Sequence, residues 1–204
     1  MPAGDLCTLA DVVSYLGDPN IGSTSLTSLS FLISAVSAWA QGFTERNLAG
    51  VQPYTYTTDG NGGSALFLPA GPVTGITSVT IGGSSVPMSS GSPQYGIVAT
   101  DCEAVFIGGH FPRGRQNVVV QYQAGYPYLF VPGSPTPGMN DTITLEPADL
   151  RWAIVETVAL RYRRKDSLGV NSKSLQGQST SYDNSIAPKD AMAILQRYKK
   201  ETPW

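Results

Sequence analysis

The chain contains one histidine, His110, set in Gly108-Gly109-His110-Phe111-Pro112. Any Ser/His/Asp or Cys/His centre would have to be built around it. No nucleophile elbow stands near it, and the paired glycines suit a hairpin, so a structural role is expected. Cys7 and Cys102 lie far apart and show none of the Cys/His spacings that hold zinc. Two buried free thiols are expected of them rather than a disulfide. Asp59-Gly60-Asn61-Gly62 has the first oxygens of a calcium loop but lacks the further ligands and the closing glutamate. It reads as a tight turn. Pro112-Arg113-Gly114-Arg115 places two guanidiniums around a glycine, with no Walker lysine and no following helix, so it is no phosphate cradle. Arg113 and Arg115 are candidates for touching a partner's carboxylate or phosphate. No pair of carboxylates has the spacing of an acid–base couple. The expectation is a protein that is not an enzyme and needs neither metal nor cofactor.

The elements that carry these residues fall into three regimes. Residues 1–50 read as helical. Thr8 is an N-cap with Asp11 at the capping-box position, and Leu9, Val12, Val13 and Leu16 follow at helical spacing. Gly17, Pro19 and Gly22 end that helix. A second helix is expected from Ser25, with Leu26, Leu29, Leu32, Ile33, Val36, Trp39, Ala40 and Phe43 on one face. Its other face is Ser and Thr rather than charge, which suggests contact on both sides. Residues 51–145 switch to short Tyr/Thr/Val/Ile runs between Gly/Pro/Ser clusters, the pattern of an antiparallel β module. Strands are expected over 54–58, 65–68, 73–81, 97–99, 105–107 and 117–122. Residues 125–140 hold four prolines with Tyr126, Tyr128 and Phe130, and are expected to form a long excursion rather than a strand. Residues 146–204 are helical again, with Pro147 and Asp149 at a helix start and Arg161, Arg163, Arg164 and Lys165 at its end. Gly169 is expected to stop that helix. The Ser/Gln/Asn-rich stretch 171–185 is expected to be flexible in isolation. A last helix starts near Lys189. The fold class is therefore α+β: a bundle of about four helices, with a β-rich insertion between helices two and three. The corresponding domains are 1–50, 51–145 and 146–204, the first and last together forming the helical core.

Composition narrows the classes. The 204 residues include 22 Gly and 15 Pro, and charged residues are 14% against a typical ~25%. A formal net charge of −2 excludes charge-driven disorder. The charge is uneven. Residues 1–145 hold three basic and eight acidic residues, residues 146–204 ten basic and seven acidic. The C-terminal part can thus face an acidic partner or nucleic acid. The N-terminus shows no basic and apolar signal pattern, so no secretory signal is expected. The most apolar run, residues 31–39, is broken by Ser34 and Ser37 and is short of the ~20 residues of a membrane span, so no membrane is expected as a partner.

Across residues 5–200 the order of segments resembles the head–tail connector (adaptor) proteins of long-tailed bacteriophages. The resemblance is carried by Leu6-Cys7-Thr8-Leu9-Ala10-Asp11-Val12-Val13-Ser14-Tyr15-Leu16, similar to their opening helix. Phe43-Thr44-Glu45-Arg46-Asn47-Leu48 is similar to the end of their second helix. The strand pair around Asp59-Gly60-Asn61-Gly62-Gly63 follows, then Val118-Val119-Val120 leading to Ala124-Gly125-Tyr126-Pro127. Pro147-Ala148-Asp149-Leu150 and Leu160-Arg161-Tyr162-Arg163 resemble the third helix, with a Ser-rich stretch after it. The Pro-rich residues 128–140 depart from the pattern.

The resemblance implies assembly. Such adaptors form a homo-oligomeric ring, usually twelvefold, under the portal of the DNA-filled head. They bind the portal protein on one side and a stopper or tail-completion protein on the other, and DNA passes through the lumen without sequence-specific binding. The expected location is the virion neck, assembled in the host cytoplasm. Portal or subunit contact is expected from Arg161, Arg163, Arg164, Lys165, Tyr182, Arg197, Tyr198, Lys199, Lys200, Pro203 and Trp204, with Trp204 a terminal aromatic anchor. Arg113 and Arg115 are candidates for partner or lumen contact. A stopper or tail-completion protein of the same neck is the near alternative. A carbohydrate-binding β module using Tyr126, Tyr128 and Phe130 is the distant one.

Overall fold

The computed structural model describes residues 4–18, 21–89, 95–132, 141–145, 147–165, 172–175, 178–181 and 186–200. Among them are four helices and eleven short strands paired antiparallel, an α+β fold. They divide into two compact units. One is Met1–Glu45 with Tyr128–Lys199, the other Arg46–Pro127 with Lys200–Trp204. The sequence pattern put boundaries at 50 and 145. The units part instead at 45/46 and 127/128, which places residues 128–145 with the helices.

In the helical unit, α1 (Leu9–Leu16) starts as its sequence dictates. The Thr8 hydroxyl accepts from the Asp11 backbone N–H at 3.1 Å, and the Asp11 carboxylate accepts from the Thr8 N–H at 2.8 Å. Two orphan donors of the first turn are thereby satisfied. Gly17, in the left-handed region at φ 68°, closes the helix. α2 (Ser23–Thr44) begins two residues before the expected start and buries Leu29, Ile33, Val36 and Ala40. At 22 residues it is long and apolar enough to cross a membrane by length and composition, which corrects the expectation from residues 31–39. A core helix passes the same test, and this one packs one face into the unit and leaves the other exposed. α3 (Ala148–Arg163) lies against α1, α2 and α4 (Lys189–Arg197). Contact on several sides buries more than one stripe: Leu150, Ala153, Ile154, Val155, Thr157, Val158 and Ala159 are all buried.

Two hairpins join this unit. β8 (Tyr128–Val131) pairs with β9 (Thr142–Leu145), so part of the expected excursion is a strand after all. Its partner comes ten positions later rather than across a tight turn, which hides the pairing from local sequence signals. Ile143 and Leu145 point into the core, while Leu129 and Val131 face outward. β10 (Ser172–Leu175) pairs with β11 (Gln178–Ser181), so the Ser/Gln/Asn stretch also holds a strand pair where flexibility was expected. Gly169 and residues 182–185 lie outside the described residues.

The second unit is built from seven strands. β1 (Gln52–Gly60), β7 (Gly114–Ala124), β3 (Val73–Ile81) and β4 (Ser84–Val86) form one sheet in that spatial order. β2 (Ala65–Phe67), β6 (Glu103–Ile107) and β5 (Gly96–Ala99) form the other. β7 shows the period of two: Val118, Val120, Tyr122 and Ala124 are buried, Gln121 and Gln123 exposed. These side chains share one core with Leu66, Leu68, Val79, Ile97, Phe106 and Phe111. Tyr54 stacks on Tyr122 across the sheet at 5.6 Å, and the Tyr122 hydroxyl accepts from the Ala70 N–H at 3.1 Å.

Candidate functional site

The chemistry-bearing residues of the β unit are occupied with structure. The Asp59 carboxylate accepts from the Gln116 N–H at 2.6 Å, where Gln116 takes a positive φ of 48° beside the irregular register of β1 and β7. The Asn61 side chain accepts from the Gly63 N–H and donates to the Ala65 carbonyl, folding the turn on itself. Asn117 accepts from the Gly60 N–H at 2.7 Å and donates to the Pro112 carbonyl at 2.8 Å. Asp59-Gly60-Asn61-Gly62 is thus a braced turn. His110 is exposed on the loop between β6 and β7, and Arg113 and Arg115 are exposed just beyond it. Both cysteines are free. Cys7 is buried and its thiol pKa is pushed up by burial; Cys102 is half-buried, less enclosed than expected. Among the described residues no group of three or more His, Cys, Asp or Glu stands close enough to hold a metal ion. The Tyr128 hydroxyl donates to the Asp5 carbonyl at 2.9 Å, and burial raises the phenol pKa of both Tyr126 and Tyr128.

The expected contact residues near the end of α3 and in α4 divide into committed and outward-facing ones. Arg161 donates through Nε to the Ile186 carbonyl at 3.1 Å. Arg197 pairs with Asp149 at 3.0 Å, and the Tyr198 hydroxyl donates to the same carboxylate at 2.8 Å. These three contacts tie α4 and the segment before it to α3. Lys165 lies over the Tyr162 ring at 4.5 Å, Lys199 over the Phe43 ring at 5.6 Å. Arg163, Lys165 and Lys199 are exposed, while Arg164 and Lys200 are half-exposed. Tyr182, Pro203 and Trp204 lie outside the described residues.

Two further surfaces of the helical unit stand out, the first hidden from sequence reasoning and the second already marked in the sequence by its uncharged Ser/Thr face. The first is a groove of about 440 Å³ between α1 and α3. Tyr15 and Trp152 meet there edge to face at 5.2 Å, over a floor that includes Ala10, Ser14 and Ala148. Trp152 remains 53% exposed. The groove also contains the Asp11–Arg151 ion pair, both of whose carboxylate oxygens accept from the guanidinium. Asp11 was legible as a cap; its pairing with a residue 140 positions away was not. The second is the outer side of α2. No Asp, Glu, Lys or Arg occurs in this helix. Thr27, Ser28 and Ser30 donate back to the carbonyls four residues earlier, at 3.3, 3.1 and 3.1 Å. Phe31 projects from this side, 75% exposed.

Known proteins place the chain. The head completion protein family model matches residues 5–201, and the chain belongs to that family. Its fold is similar to that of a chain in the neck of an empty gene transfer agent particle computed with C6 symmetry. That match has a TM-score of 0.52 and 16% identity over 100% of this chain and 95% of the other. A chain of the native gene transfer agent virion gives a TM-score of 0.53 at 16% identity, over 100% and 94%. No curated protein sequence matches the chain.

Proposed function

We propose that this chain is a structural, non-catalytic subunit of a phage-type neck. It is read as a head–tail adaptor that forms a ring beneath the portal, twelvefold as the resemblance implies. The ring joins the portal to a stopper or tail protein and leaves a lumen for DNA. The observation that carries this is the head completion family match over residues 5–201. The fold likeness to a chain in a sixfold-computed neck supports the ring and the neck location. So does the division of the basic groups. Arg161 and Arg197 hold the fold together, whereas the exposed Arg163, Lys165 and Lys199 are left for a partner such as an acidic portal loop. The residues after Tyr198, ending in Pro203 and Trp204, serve as a portal anchor.

The test is reconstitution with portal-bearing heads, using a chain truncated after Tyr198 and an Arg163→Glu/Arg164→Glu variant. Both are expected to melt like the wild type and to lose head joining. Full joining by the truncated chain removes the anchor, and full joining by the charge-reversed chain removes the basic contact. Rings absent from images of wild-type chain mixed with portal would overturn the adaptor reading itself.

A further inference from the structure

The helical unit carries a protruding apolar side chain on one face and an aromatic groove on another. We infer that the outer side of α2, with Phe31 as its knob, seats in the α1–α3 groove of a second copy. This assignment rests on the ring reading above and names its subunit contact.

The two features fit each other in size, chemistry and charge. A cavity of ~150 Å³ already holds a benzene ring, so a groove of about 440 Å³ admits a phenyl group with the backbone beside it. Tyr15 and Trp152, packed edge to face on each other, form one aromatic side of the groove, and a further ring prefers to meet such a surface edge to face or offset. The residues one turn before and one turn after Phe31 on the same exposed side, Ser28 and Ala35, are small and let the helix approach closely. The Ser28 hydroxyl is spent on the Thr24 carbonyl, so it brings no unpaired donor into the contact.

Charge selects the occupant. In the groove the Arg151 and Asp11 charges are already paired with each other, so a charged partner would find no free counter-ion there. α2 itself brings no charge to bury, and Arg161, which shares a pocket with Ala35, is hydrogen-bonded to the Ile186 carbonyl. Neutral face on self-neutralised groove avoids the cost of an uncompensated buried ion. A nucleic acid or a strongly charged loop gains nothing from either surface. No residue of α2 lines the groove, so the knob and the hole are different surfaces of one copy. A contact between different surfaces is head-to-tail and propagates from copy to copy, closing into a ring where the rotation between copies closes and running on as a filament where it does not. An α2-to-α2 contact would stop at a pair.

The test uses the full chain and two variants, Phe31→Glu and Trp152→Glu, both at exposed helical positions. Phe31→Leu, which keeps an apolar knob, is the folding and assembly control. Mass is read by light scattering after size exclusion, at concentrations where the wild type is oligomeric, and folding by thermal melts. Each glutamate variant alone is expected to lose every species above monomer. Mixed one to one, they are expected to form a capped pair, because one retains the knob and the other the groove. Phe31→Leu is expected to assemble. Oligomers that persist in both glutamate variants would overturn the contact and leave the ring standing. Monomeric variants that fail to pair on mixing would overturn its head-to-tail nature. Loss of assembly on removing residues 201–204, with Phe31→Glu unaffected, would give the groove to the chain's own tail instead. A wild type that stays monomeric at every concentration, alone and with portal, overturns contact and ring together.

Discussion

A Cβ on Gly60 would lie 1.9 Å from the Pro112 carbonyl oxygen. No rotation of a side chain relieves that, because the obstacle is backbone. Gly60→Ala is therefore expected to cost about 3 kcal/mol, at the upper end of ordinary substitutions, read from urea unfolding. Asp5 makes a prediction of different sign. It is 3% exposed, and burial pushes its carboxyl pKa up despite the Ser34 hydroxyl beside it. The folded state then holds this proton more tightly than the unfolded chain does. Stability from this group rises as pH falls through the raised native value toward the ordinary carboxylate range, and is lost above it. Asp5→Asn is expected to raise the melting temperature at pH 7.5 and to narrow that advantage at pH 4.5. An equal advantage at both pH values would show that Asp5 does not titrate in this window. Residues of this kind divide sharply by legibility. The Thr8–Asp11 box is a spacing of three and is visible in the sequence. The Arg151 partner of Asp11, the Gly60–Pro112 approach and the burial of Asp5 are set by chain segments far away in sequence, and no local pattern encodes them.

The helices illustrate what a period can and cannot say. Spacing of three and four located α1 and α2 and most of their buried faces, while start and end residues located α3 and the start of α4. It could not tell that α3 would be enclosed by three helices, because Val155 and Ala159 extend its apolar surface only modestly. The hairpin of β8 and β9 was hidden for another reason. Its two strands are separated by a proline-rich connection instead of a turn motif, and only one face is apolar on both strands. At this scale Asp149 is the clasp of α4, since Arg197 and Tyr198 both reach it. An exposed ion pair contributes little, and a hydrogen bond to a carboxylate somewhat more. Asp149→Ala is expected to cost about 1–2 kcal/mol. Hydrogen exchange should report it as faster exchange in α4 at unchanged protection of β7. Equal acceleration in both would mean that α4 is not a separable element.

The composition of the whole chain has a structural meaning. Gly and Pro concentrate in the β unit and its loops, and the basic residues in α3, α4 and beyond. The strands of the β unit all come from one continuous piece of chain, residues 46–127, which interrupts the helical unit in sequence. Gln52 pairs with Ala124, so the unit's first and last strands lie side by side where it leaves the helices. Its core is complete among its own residues. Residues 46–127 expressed alone are therefore expected to fold, giving a single cooperative thermal transition with strand-type circular dichroism. A chain without such a transition would show that the insertion depends on the helices. α2 carries a last consequence. A surface whose hydroxyls are turned inward and whose side chains bear no charge has nothing for dissolved ions to screen. A joint made there holds equally in dilute buffer and in concentrated salt. The proposed contact of the exposed Arg163, Lys165 and Lys199 with an acidic partner is instead expected to loosen as ionic strength rises. On the proposed assembly, the subunit contact through α2 would persist through changes in salt that weaken the basic contact with an acidic portal loop.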